Sequence, residues 1–85
     1  MINPNDHPVA WALLASQIDD AAEGIAALLR DLDEMEDFGE PELRVHLAHI
    51  YSHLNQAWNT RNQTEESDWG NTHFPTDLTP LGAGG

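Results

Sequence analysis

The chain has 85 residues, with 15 Asp and Glu, three Arg, no Lys, no Cys and a formal net charge of -12. These numbers exclude a disulfide scaffold and a Cys-ligated zinc finger. They also argue against a basic-patch nucleic-acid binder or an anionic-membrane binder, because only Arg30, Arg44 and Arg61 could meet phosphates.

The length sets a single domain, 1–85, with a core of marginal size. Residues 1–7 form an N-terminal arm with no basic residue and no apolar run, so it does not read as a secretory signal. The longest apolar stretch, residues 9–15, falls far short of the about 20 residues that cross a bilayer. The expected location is therefore cytoplasmic, with no membrane association.

The first predicted helix covers 8–38. Asn5 or Asp6 can cap it, and Pro8 suits its first turn, where a missing N–H is tolerated. Trp11, Leu14, Ile18, Ala21, Ile25, Leu28, Leu32 and Met35 recur with gaps alternating three and four. That is a heptad seam held for about three and a half heptads. Asp19, Asp20, Glu23, Arg30, Asp33, Glu34 and Asp37 occupy the opposite face. A helix of about 30 residues would be about 45 Å long and strongly amphipathic.

Phe38-Gly39-Glu40-Pro41 should end it, with Gly39 in a left-handed cap and Pro41 opening the next helix. The short link predicts an antiparallel partner over 41–63. Its seam is Leu43, Leu47, Ile50, Leu54 and Ala57, flanked by Tyr51 and Trp58 on one side and by His46 and His53 on the other. Residues 64–85 form a tail rich in Gly and Pro, yet they carry Trp69, Phe74, Leu78 and Leu81. Burial of those groups predicts an extended tail laid across the helices as far as about Leu81. Asn55, Asn59, Asn62 and Arg61 are placed to hydrogen-bond it.

The fold class is thus all-α: an antiparallel helical hairpin with an extended C-terminal tail. A hairpin hides only one side of each seam. Pairing two copies into a four-helix bundle covers the remainder, because two-fold symmetry reuses one surface. Ala15, Ala22, Ala26 and Gly24 would permit close helix approach.

His46, His49 and His53 give the most distinctive local chemistry. His49 and His53 are four apart, so both rings can address one ion, and His46 with His49 is a second pair. His46 and His53 lie about 10 Å apart along the axis, too far for all three to share an ion easily. Neither Glu-x-x-His nor His-Glu-x-x-His occurs. The plainer reading has His46 and His53 bonded to carboxylates of the first helix, with His49 facing solvent. A divalent metal is the one cofactor these residues suggest.

The acidic run at 31–37 lacks EF-hand spacing and reads as a solvated face. Ser16, Ser52 and Ser67 lie outside any nucleophile elbow. Net charge is -8 over 1–38, zero over 39–63 and -4 over 64–85, so the acidity is a face rather than a uniform property. The expected function is a small, non-enzymatic interaction or assembly module acting as a homodimer, with room for a further protein partner. One alternative is a metal-binding bundle using His49 and His53. Another is an acidic decoy of a basic or nucleic-acid-binding partner.

Overall fold

A computed structural model describes residues 1–64 and 71–82, and the expectation for Trp69 lies outside them. Two helices form the fold, α1 over Pro8–Glu34 and α2 over Glu40–Asn59, and no strand occurs among the described residues. Asp31 of α1 meets His46 of α2, and Gln17 meets His53. The numbering therefore runs in opposite directions across the contact, and the pair is an antiparallel hairpin.

Pro8 does open α1, but the capping differs from expectation. His7 is the N-cap and its side chain makes no cap bond. Asn3 instead accepts the backbone N–H groups of Asn5 and Asp6 at 3.0 and 2.8 Å, making a tight turn ahead of the helix.

α1 ends at Glu34, four residues short of the predicted 38. Met35 turns extended at φ -83° and ψ 124°, and its N–H closes the last turn on the Asp31 carbonyl. No basic residue sits in that turn, while Asp31, Asp33 and Glu34 crowd the negative end of the helix dipole. Released from the helix, Phe38 packs against the core and stacks on His46, ring centroids 6.2 Å apart.

Gly39 is not a left-handed cap. At φ -140° it is extended backbone, and it serves as the N-cap of α2. Its N–H donates to Glu42 Oε2 at 2.9 Å, which ties the link to the first turn of the second helix. α2 stops at Asn59 rather than 63. Thr60 closes it, donating its hydroxyl to the Gln56 carbonyl.

The core is small. Ala21, Leu28 and Ile50 form its centre. Ile2, Ala10 and Ala57 are also buried, toward the open end of the hairpin. Gly24 lets the helices meet: a methyl group there would lie 2.9 Å from Ile50 Cγ1. At the open end the arm is pinned, with Ile2 N–H donating to the Arg61 carbonyl at 2.9 Å.

Residues 71–82 run without regular structure along the C-terminal half of α2. Buried Asn55 donates to the Thr72 carbonyl, and Asn59 donates to those of Asn71 and His73. Tyr51 packs on Phe74, ring centroids 5.8 Å apart. The polar end of α2 thus holds the tail by donating side-chain N–H groups to its backbone carbonyls. Of the residues expected to hold the tail, Asn62 is exposed.

Candidate functional site

The hairpin has two unlike faces, and each follows from helical spacing. Measured around α1 from the core row Ala21–Leu28, the row Ile18–Ile25–Leu32 lies to one side and Gln17, Asp20, Gly24 and Asp31 lie to the other. Around α2, the row Leu43–Leu47–Leu54 and the row His46–His49–His53 flank Ile50 in the same way. In an antiparallel pair the matching sides coincide. Ile18 and Leu54 accordingly line one groove with Leu14, Trp58 and Leu78. Asp20, Gly24, His46, His49 and His53 line another.

The first face is apolar and largely open. Ile18 is 48% exposed, Ile25 46%, Leu32 50% and Leu47 49%. Leu29, Leu43 and Leu54 are exposed beside them. Among the described residues no large side chain is fully buried. Half of the seam legible in the sequence is therefore unpartnered within one chain. Gly24 and the alanines divide differently from expectation. Gly24 serves the contact within the hairpin, while Ala15, Ala22 and Ala26 are exposed beyond the apolar rows.

The tail covers only the open end of this face. Leu78 lines one groove with Met1, Leu14, Ile18 and Leu54. Three side chains fasten it: Trp58 Nε1–H donates to Asp77 Oδ1 at 2.9 Å, Arg61 Nη2 donates to Asp77 Oδ2 at 2.8 Å, and the Arg61 guanidinium lies 3.9 Å above the Trp58 ring. The indole hydrogen bond, aided by the Arg61 charge and against some desolvation, holds the Asp77 carboxyl below the usual aspartate range.

The second face carries the three candidate metal ligands. His46 Nε2 is 2.8 Å from Asp31 Oδ2, bridging the helices. His53 Nδ1 is 2.8 Å from Gln17 Oε1 and 4.0 Å from Asp20 Oδ2. His49 is exposed, and its Nε2 lies 3.3 Å from His53 Nε2, the two rings edge to face. The structure thus brings His49 and His53 together and commits His46 to Asp31. Among the described residues no three His, Asp or Glu side chains converge as a set that could hold an ion. Gln17 is the partner that sequence reasoning missed. It lies on the seam's edge, and nothing local links it to a residue 36 positions away.

The acidic run divides. Asp31 is drawn into the interhelix contact, while Asp33, Glu34, Glu36 and Asp37 are exposed. No helix among the described residues is long and apolar enough to cross a membrane. Comparison with protein-family models, with curated proteins and with solved structures finds no match.

Proposed function

We propose that this protein is a homodimeric assembly module in which two hairpins lay their apolar faces together as a four-helix bundle. The observation that carries the reading is the uncovered face formed by Ile18, Ile25 and Leu32 of α1 with Leu43, Leu47 and Leu54 of α2. Those rows hold no charged residue, although the chain carries a net charge of -12. A face kept apolar in so acidic a chain is a surface meant to leave water.

A second copy is the occupant whose shape and composition are given in advance. Its face repeats the same rows, and an isologous contact needs nothing else. The acidic residues Asp19, Glu23 and Glu34 lie on the outer side of α1, where two copies joined by their apolar faces keep them in solvent. That placement supplies solubility without a decoy role.

Sedimentation equilibrium on untagged protein at micromolar concentration tests the reading. The expected mass is twice the 9.4 kDa of one chain. A species that stays monomeric to the highest attainable concentration overturns it.

A further inference from the structure

We infer that His49 and His53 form a two-imidazole site for a divalent late transition-metal ion of the zinc, nickel and copper class, with Gln17 as the positioning residue. The site faces the groove on the side opposite the apolar rows, so it goes beyond the assembly reading and does not depend on it.

The geometry rests on three observations. First, the two Nε2 atoms are 3.3 Å apart, joined without metal by a hydrogen bond from His49 Nε2–H to His53 Nε2 that a bound ion would replace once His49 carries its proton on Nδ1. Two zinc–nitrogen bonds of about 2.0–2.1 Å at a tetrahedral angle span about 3.3 Å between nitrogens. The pair therefore has the spacing of one edge of a zinc tetrahedron. His49, exposed at the groove rim, has freedom to rotate its ring onto a shared ion.

Second, the tautomer is set from behind. An amide oxygen only accepts, so His53 Nδ1–H donates to Gln17 Oε1 at 2.8 Å, and Asp20 Oδ2 at 4.0 Å favours a proton on the same nitrogen. That leaves the His53 Nε2 lone pair directed at His49. Metal-bound imidazoles are held this way, with the far N–H given to an oxygen acceptor that fixes the ring and raises its basicity.

Third, the groove beside the pair is open, and no third His, Asp or Glu among the described residues converges on it, so the remaining coordination positions fall to solvent. Two imidazoles with solvent in the other positions make an exchangeable site rather than a closed structural one. His46 takes no part, because its Nε2 is engaged by Asp31. Imidazole ligands select the late transition ions over magnesium and calcium, which prefer oxygen.

The test uses the untagged full chain titrated with zinc chloride at neutral pH, followed by calorimetry and by the imidazole nitrogen resonances. Zinc should bind in the micromolar range and shift both His49 and His53, and excess magnesium chloride should not displace it. His49→Ala removes an exposed side chain and should weaken zinc at least tenfold with helicity unchanged. Gln17→Ala should weaken it about ten- to hundredfold. Before any metal is added, His53 should be the Nδ1–H tautomer, and Gln17→Ala should release that preference. No binding below millimolar zinc overturns the site. So does binding that magnesium competes away or that survives His49→Ala, since carboxylates would then be the ligands. An Nε2–H tautomer at His53 overturns the role of Gln17. A monomer that binds zinc through these residues refutes the assembly reading alone, and a dimer that does not refutes this one alone.

Discussion

Trp58 and Asp77 are joined by a 2.9 Å hydrogen bond from the indole N–H to the carboxylate, and this bond locks the tail onto the open end of the hairpin. It also depresses the Asp77 pKa. A carboxylate with a depressed folded pKa contributes its stabilisation in full above the ordinary value of 3.8 and loses it as pH falls through the lowered folded value. The Trp58 indole N–H resonance should therefore stay fixed from neutral pH to about pH 4 and move toward its free position below that. Asp77→Asn, which keeps one acceptor and removes the charge on which Arg61 closes, should weaken tail docking at every pH. An indole resonance that is indifferent to acid and to this substitution would dissociate the tail from the latch.

Leu47 and Val45 are both exposed residues of α2, two positions apart and therefore on different sides of the helix. Leu47 belongs to the apolar face, and Val45 lines the histidine groove. Leu47→Glu should break up the dimer proposed above and lower the melting temperature, whereas Val45→Glu should change neither. Equal effects from the two would mean that general hydrophobicity, and not the face, drives association.

Gly24 sets the helix spacing, and its replacement pits two effects against each other. Alanine is worth about 1 kcal/mol more than glycine inside a helix. The added methyl, however, would lie 2.9 Å from Ile50 Cγ1, a branched group in the buried centre. Overpacking of that kind costs about 1–3 kcal/mol. The clash should win, so Gly24→Ala should lower the melting temperature by several degrees. A rise would mean that Ile50 has room to move.

The C-terminal turn of α1 has acids where the helix dipole favours cations. Raising sodium chloride from low to near-molar concentration should therefore raise the melting temperature by screening that repulsion. Glu34→Lys, at an exposed site, should stabilise by about 0.3–1 kcal/mol at low salt, and the gain should fade as salt rises. Thermal melts across a salt series measure both, and a melting temperature that falls with salt would contradict the account.

The two helices and the antiparallel link were legible because periodicity is a property of many residues at once. Seven seam positions on α1 agree, and Pro8 and Pro41 each mark a beginning. Helix ends depend on single residues, and there the sequence misled. Gly39 looks like a stop for α1, but its N–H is taken by Glu42, so it works as a start for α2. The tail contacts of Asn55, Asn59 and Arg61 were foreseeable as polar groups at a helix end beside apolar tail residues. The seam itself did not reveal which flank would be covered. A heptad pattern reports that a row is apolar, and its partner is decided by where Gly24 and Ala21 let the other helix approach. The His49–His53 pairing could be read from spacing, whereas the acceptor behind His53 could not, because it comes from the other helix.

The latch at Trp58 has a hydrodynamic consequence. Leu78 shares a groove with Ile18 and Leu54 at the open end, so the second hairpin proposed above would clear the tail best by seating toward the turn. A two-fold axis placed there overlaps the two turn regions and sends the two open ends, with their tails, to opposite poles. The proposed dimer would then be longer than either hairpin and should sediment as a rod. Cutting the tail away would free the whole seam, let the copies slide into full register and shorten the rod.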